Sequence, residues 1–61
     1  MDIKEIRLAL GLSQPGFAAA YRLPLRTVQD WEYGKTRPDA AAAALLRAIA
    51  AEPETMRRLL A

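Results

Sequence analysis

The feature that most restricts how this chain can fold is the joint at Pro24, which separates two short amphipathic segments. Proline disfavours helical geometry in the residue before it, so a helix that ends near Leu23 cannot continue. Pro24 itself suits the first position of a new helix, which we predict over about 25–33. Only three residues separate Tyr21 from Leu25. A turn this short favours a steep crossing of the two helices over an antiparallel return.

Glycine, proline and capping residues divide the rest of the chain into further short helices. At the N-terminus, Ile3, Ile6 and Leu10 form an apolar stripe, and Gly11 follows as a terminator. The run of five alanines after Asp39 is also predicted to be helical, because alanine is the strongest helix former. The predicted fold class is all-α, a compact bundle of five helices over about 2–10, 14–21, 25–33, 40–51 and 53–61.

The size and composition of the chain limit the number of domains it can form and the ways in which its fold can be stabilised. Sixty-one residues form one domain at most, so we predict a single domain over 1–61. A core of this size supplies only about 3–5 kcal/mol of stability. Because cysteine and histidine are both absent, disulfides and the usual zinc ligands are excluded, and we predict no cofactor and no metal site. Helix packing or a second subunit must stabilise the fold.

Charge and hydropathy limit the possible partners and compartments. The formal charge of +2 permits a nucleic-acid partner without requiring one. There is no apolar run of about 18 residues to span a membrane, and we do not expect the N-terminus to be a signal peptide. Together with the missing cysteines, this favours a cytoplasmic protein. An enzyme is not expected, since acid–base catalysis would rest on isolated carboxylates such as Glu32.

Residues 14–33 carry small and apolar residues at spacings that resemble those of a DNA-binding helix-turn-helix. Small Ala18 lies at the fifth position of this stretch, where two steeply crossing helices approach most closely. Val28 and Trp31 are three residues apart, so they share one helix face and are expected in the core. Counted from Gln14 as position one, apolar residues occupy positions four, eight, ten, fifteen and eighteen, which are Phe17, Tyr21, Leu23, Val28 and Trp31.

Four short motifs lie in and around this stretch: "LGLSQ", "FA", "RTVQDWEYG" and "RPD". Together they resemble the lambda-repressor-like, XRE-type helix-turn-helix family, and the resemblance extends from Ile3 to Ala61. The tail "RPDAAAAALLRAIAAEPETMRRLL" is similar in particular to XRE-type antitoxins and small autorepressors of bacterial toxin–antitoxin operons. The resemblance implies a sequence-specific DNA-binding protein.

The predicted recognition helix, about 25–33, supplies the candidate base contacts. In this fold the helix lies in the major groove of DNA. Arginine can contact guanine O6/N7 and glutamine can contact adenine N6/N7, chemistry that suits Arg26 and Gln29. Asp30 either accepts from cytosine N4 or pairs with Arg26 on the same face. Leu25 is expected to touch a thymine methyl group.

The residues around this helix are candidate phosphate contacts. Gln14 matches the family position whose side chain and N–H meet a phosphate. Arg22 stands where the family usually has glycine, at a position that often needs a positive φ. Either Pro24 reshapes this turn or Arg22 is placed to meet a phosphate, while Thr27 is either a phosphate contact or a solvated position. The full expected set is Gln14, Arg22, Thr27, Tyr33, Lys35, Thr36 and Arg37.

The resemblance also implies two sets of residues with other roles. Arg7 and Glu32 match a structural salt bridge that locks the fold and does not read DNA. Met56, Leu59 and Leu60 form the apolar side of the last helix, either as intramolecular core or as dimer surface. We expect them to contribute to a homodimer, whose two half-sites would lie about 34–36 Å apart.

Three functions follow as hypotheses. The leading one is a transcriptional repressor that binds a palindromic DNA operator as a dimer. The second is a protein-binding antitoxin that mainly neutralises a cognate toxin. The short length outside the helix-turn-helix disfavours it unless the fourth or fifth helix binds the toxin or the chain is a fragment of a longer protein. The third is a helical scaffold without DNA binding. The polar face of Arg26, Gln29 and Asp30 argues against it, because a protein interface core would carry more apolar side chains.

Overall fold

The structure is a computed structural model that describes residues 2–61, so residue 1 of the predicted domain lies outside the described range. Its five α-helices are α1 (Ile3–Ala9), α2 (Gln14–Ala20), α3 (Leu25–Glu32), α4 (Ala40–Ala51) and α5 (Pro53–Leu60). No strand occurs in residues 2–61. The predicted all-α class with five helices is confirmed. None of these five helices is long and apolar enough to cross a membrane.

Side-chain caps begin three of the helices. A short polar side chain accepts a hydrogen bond from a free N–H group of the first turn and satisfies a donor that has no partner inside the helix. The bonds are from the N–H of Glu5 to Asp2 Oδ1 at 2.9 Å, from that of Gly16 to Ser13 Oγ at 3.0 Å, and from that of Ala42 to Asp39 Oδ1 at 2.8 Å. Ser13 and Asp39 are thus the N-caps of α2 and α4.

Helix α3 begins without such a cap. Pro24 has an extended ψ of 136°, so it lies just outside the helix as the N-cap residue. Its carbonyl oxygen accepts from the N–H of Val28 at 3.1 Å. The prediction that Pro24 occupies the first helical position is therefore wrong by one residue. Because Pro24 has no side-chain acceptor, no side-chain hydrogen bond caps the first turn of α3.

A left-handed residue lies two positions after the last residue of each of the helices α1, α2 and α3. The φ angles are +70° for Gly11, +59° for Arg22 and +77° for Gly34. The next residue then donates its N–H back to a carbonyl five positions earlier, which is the bond of a Schellman motif. These bonds join Leu12 to Arg7 at 3.2 Å, Leu23 to Ala18 at 2.9 Å and Lys35 to Asp30 at 2.9 Å. Arg22 is the only non-glycine with a positive φ in residues 2–61. Pro24 therefore does not reshape the turn.

The core lies where α2, α3 and α4 meet. Phe17, Val28 and Ile49 are fully enclosed, one from each of these helices. Helix α1 adds Ile3 and Ile6, its two buried residues. Trp31, predicted as core, is half-buried and packs against the edge of this cluster.

Helix α5 contributes only part of its predicted apolar side. Met56 and Leu60, one turn apart, are half-buried against the core, whereas Leu59 is 66% exposed. The Tyr21 hydroxyl donates to the Pro53 carbonyl oxygen at 3.0 Å and so anchors the start of α5 to the end of α2. Met56, Leu59 and Leu60 have the i, i+3, i+4 spacing of one helix face. Met56 and Leu60 pack against the core, whereas Leu59 lies at the exposed edge of that face.

Replacing Arg22 with glycine is expected to raise the melting temperature by several degrees. A side chain in the left-handed region destabilises the folded state by about 1–2 kcal/mol, and glycine removes this cost. Glycine also gives the unfolded chain more freedom, which opposes the gain by about 0.4–1 kcal/mol. Thermal unfolding followed by circular dichroism measures the change. The control is Arg22→Ala, which removes the same charge but keeps Cβ. Equal melting temperatures for the two variants would contradict the strain argument.

Candidate nucleic-acid interface

A bidentate ion pair joins α1 to α3. Arg7 Nε donates to Glu32 Oε2 at 2.7 Å, and Arg7 Nη2 donates to Glu32 Oε1 at 3.0 Å. The third guanidinium nitrogen, Nη1, donates to the carbonyl oxygen of Leu12 at 2.9 Å. The two charged side chains are 11% and 2% exposed. The structure thus contains the Arg7–Glu32 pair that the sequence predicts, and this pair also holds the turn between α1 and α2.

The pKa values of both partners move in the directions that stabilise their charged forms. The hydrogen bonds from Arg7 lower the pKa of Glu32, although burial opposes this shift. A hydrogen bond from Gln14 and the charges of Arg7 and Lys4 lower it further. The hydrogen bonds to Glu32 in turn raise the pKa of Arg7. Glu32 is therefore ionised at neutral pH.

A chain of hydrogen bonds runs from this pair to the protein surface. Gln14, the first residue of α2, donates through Nε2 to Glu32 Oε1 at 3.2 Å. The Gln14 Oε1 atom accepts from Gln29 Nε2 at 3.4 Å. The exposed Tyr33 hydroxyl lies 3.4 Å from Gln14 Nε2 and 3.5 Å from Gln14 Oε1. We call Gln14 and Gln29 the glutamine bridge, because their two amides link α2 to α3.

The other predicted base-contacting residues are accessible or partly accessible on α3. The Arg26 side chain is 77% exposed, and its Nε atom lies 3.4 Å from Asp30 Oδ1. Asp30 is less accessible, with 22% of its side chain exposed. An exposed pair of this i,i+4 type contributes only about 0.3–0.5 kcal/mol, so the guanidinium can exchange its partner at little cost. Leu25, at the start of the helix, is 38% exposed.

The predicted phosphate contacts lie on α3, on the turns at its two ends, and at the start of α2. Arg22 is exposed before α3, and the exposed residues Lys35, Thr36 and Arg37 follow it. Thr27 is half-buried on the helix itself. Within residues 2–61 the ion pairs are Arg7–Glu32 and Arg26–Asp30. Each end of α3 therefore carries unpaired positive charge.

Two hydrogen bonds of the structure are not predicted from the sequence. Gln14 was assigned to a phosphate, and its hydrogen bond to Glu32 was not foreseen. The Tyr21 to Pro53 hydrogen bond was also missed. The sequence carries no signal for this second contact, because its two residues are far apart along the chain and one contributes only a backbone carbonyl.

Comparison with known proteins identifies the architecture that holds these residues. A helix-turn-helix family model matches residues 3–49, a range that includes α1 to α3 and most of α4. The chain belongs to the XRE-type helix-turn-helix family of DNA-binding regulators. It is similar to a crystal structure described as an HTH XRE-family like protein from Agrobacterium tumefaciens, with 47% identity, 100% coverage of both chains and a TM-score of 0.95.

A second relative of this XRE-type chain is Antitoxin HigA-2 of Vibrio cholerae serotype O1. The two are 33% identical over 55 residues, which are 90% of this chain and 53% of the relative. The chain therefore spans about half the length of this curated relative.

Replacing Glu32 with alanine is expected to lower the melting temperature by about 10 °C or more, because it leaves the Arg7 guanidinium without its buried partner. Asp30→Ala, which breaks the exposed pair with Arg26, is the control and should shift the melting temperature by only a few degrees at most. Thermal unfolding measures both. An unchanged melting temperature with DNA affinity lost would assign Glu32 to DNA recognition instead.

The pH dependence of stability gives a second readout of the same pair. Because the folded-state pKa of Glu32 lies below the ordinary value of 4.5, its contribution is fully present above that value and is lost as the pH falls through the lowered pKa. Glu32→Gln cannot ionise, so the stability advantage of the original chain over this variant should narrow below pH 4.5. An advantage that stays constant from neutral to acidic pH would contradict the ion-pair assignment.

Proposed function

We propose that this XRE-type chain is a sequence-specific transcriptional repressor, folded as one domain. Helices α2 and α3 form its helix-turn-helix, and α3 is the recognition helix that enters the major groove. The protein acts by occupying an operator rather than by catalysis, and its place of action is the cytoplasm, where the operator DNA is found.

The glutamine bridge is the observation that carries this proposal. Gln29 on α3 donates a hydrogen bond to Gln14 at the start of α2 at 3.4 Å. Gln14 is itself oriented by its hydrogen bond to Glu32. Side chains positioned in this way before binding lose less rotational freedom when they meet DNA. A glutamine in the major groove reads adenine, and Arg26, on the same helix, reads guanine. Leu25 and Asp30 complete the base-contacting set.

The unpaired charges around α3 support a second, sequence-independent part of binding. Lys35, Thr36 and Arg37 are proposed to contact the DNA backbone after α3, and Arg22 contacts it before α3. Gln14, Thr27 and Tyr33 add polar contacts to phosphates. Such contacts fix the register of the protein on the duplex but do not read its bases.

A palindromic operator bound by a homodimer fits the small footprint of one recognition helix. Two copies related by a twofold axis place their α3 helices about 34–36 Å apart, one turn of DNA. Leu59 is the most exposed apolar residue of α5, so it is the centre of the proposed dimer surface, with the half-buried Met56 and Leu60 beside it. Repression of its own operon is then the expected regulatory outcome.

An antitoxin role is the second candidate function, supported by the similarity to Antitoxin HigA-2. In this reading the chain binds a cognate toxin protein as well as DNA, or mainly the toxin. Co-purification with the product of a neighbouring toxin gene distinguishes this role from repression alone.

The repressor proposal is tested by selecting binding sites from random duplex DNA and then comparing two variants on the selected operator. Arg26→Ala should relax the preference at one base pair, a loss of discrimination of about 1–3 kcal/mol. Lys35→Ala should weaken binding to all sequences alike and reduce the steepness of the salt dependence by about one unit. Affinity is measured by fluorescence anisotropy at several salt concentrations.

The control for both variants is Arg58→Ala, which removes an exposed arginine of α5. Because Arg58 lies outside the proposed DNA interface, this variant should keep the base preference. Its loss of DNA affinity should be smaller than that of Lys35→Ala. Selection of no common sequence, or equal effects of Arg26→Ala and Lys35→Ala on every sequence, would overturn the assigned roles.

A further inference from the structure

A groove of about 990 Å³ lies between α1 and α4, and none of the proposed base-contacting residues lines it. One wall is a single face of α4 made by Ala43, Leu46, Arg47 and Ala50, which follow the i, i+3, i+4, i+7 spacing of a helix face. The opposite wall is formed by residues of α1, including Ile6.

The groove exists because α4 presents alanines where larger side chains would fill the space. Ala43 and Ala50 lie two turns apart on either side of Leu46, which is itself buried in the core. Ala50 is exposed, and Trp31 at the edge of the groove is half-buried. A smaller groove of about 240 Å³ shares Ile6 and Ala50 with the first and extends to Leu10. The apolar surface therefore continues along α1, where the smaller groove is also lined by Glu5.

The charges around the larger groove have an excess of positive sign. Arg37 and Arg47 both line it, both are exposed, and neither has a carboxylate within ion-pair distance among residues 2–61. Its one lining carboxylate, Asp2, accepts the N–H of Glu5 as the cap of α1. A partner with apolar and acidic side chains would match both properties of this groove.

We propose that this groove docks an acidic amphipathic helix of a partner protein. Apolar side chains at i, i+3 or i+4 and i+7 enter between α1 and α4, as in other helix-in-groove complexes. Carboxylates beside that stripe pair with Arg47 and Arg37. The groove lies outside the base-contacting set of α3 and shares one residue, Arg37, with the proposed phosphate contacts. This inference goes beyond the DNA-binding function, and Arg47, which has no proposed role in DNA binding, is the residue that tests it.

Charge and shape disfavour two other occupants. The exposed apolar residue of α5 in a second copy, Leu59, adjoins Arg58 and follows Arg57, so its docking here would bring arginines against Arg47. A small apolar ligand is usually enclosed over about 70–90% of its surface. This groove is instead bordered by exposed residues such as Arg47 and Ala50.

The probe for the test is a synthetic helical peptide of about four turns, with leucines along one face and glutamates on both flanks. Trp31 is the only tryptophan of the chain and lines the groove, so its fluorescence reports occupancy directly. We expect a saturable change in Trp31 emission with this peptide. A peptide with lysines in place of the glutamates should bind at least about tenfold more weakly.

Two charge-reversal variants provide the matched comparison. Arg47→Glu places a carboxylate at the groove and should weaken the acidic peptide at least about tenfold, whereas Arg57→Glu makes the same change of charge on α5, outside the groove, and should have little effect. Both variants should bind the selected operator equally well, which keeps this test separate from the repressor test.

Four results would overturn the proposal. The first is no response of Trp31 to the acidic peptide at its highest soluble concentration. The second is equal binding of the two peptides, and the third is an equal effect of the two variants. The fourth is self-association in sedimentation experiments that Arg47→Glu abolishes and Arg57→Glu does not, since that would assign the groove to a second copy of this chain.

Discussion

The Arg7–Glu32 ion pair is the interaction on which the rest of this small structure depends. It joins α1 to α3 and, through Arg7 Nη1, also holds the turn that leads into α2. Its side chains are almost fully enclosed, so removing them from water offsets much of their mutual attraction. Its main contribution is therefore geometric. With no disulfide in the chain, a rigid polar link of this kind fixes where α3 lies relative to the other helices.

The same glutamate connects folding to recognition. Glu32 accepts from Arg7 through both carboxylate oxygens and from Gln14 through Oε1, and Gln14 then accepts from Gln29. Such a network is costly when only partly satisfied, and no buried side-chain polar atom among the described residues lacks a hydrogen-bond partner. The two glutamines proposed to contact DNA, Gln29 at a base and Gln14 at a phosphate, are thus positioned by the contact that stabilises the fold. A change at Glu32 acts on both properties, whereas a change at Arg26 or Lys35 acts at the surface.

Most of the fold was predictable because its determinants are local. Caps such as Ser13 and Asp39, and terminators such as Gly11, act within a few residues of themselves, so the sequence predicts where the helices begin and end. The rotation of α5 was not predictable. It is set by the Tyr21 to Pro53 hydrogen bond and by packing on a distant core, and these leave Leu59 outside. The glutamine bridge also depends on the rotamers of side chains from two helices, which residue spacing does not specify.

Helix α4 combines a high local helix propensity with small side chains at positions where larger ones could pack. Its alanines have the highest helix propensity, so this helix depends less than the others on large buried side chains. For that reason the positions of Ala43 and Ala50 can remain short, although leucines there would bury more apolar surface. Larger residues would close the groove beside Trp31 and remove the site proposed for an acidic helix. The alanine run therefore keeps α4 helical while leaving Arg47 and Ala50 exposed beside the groove, and a chain of 61 residues would in this way carry the proposed second binding surface.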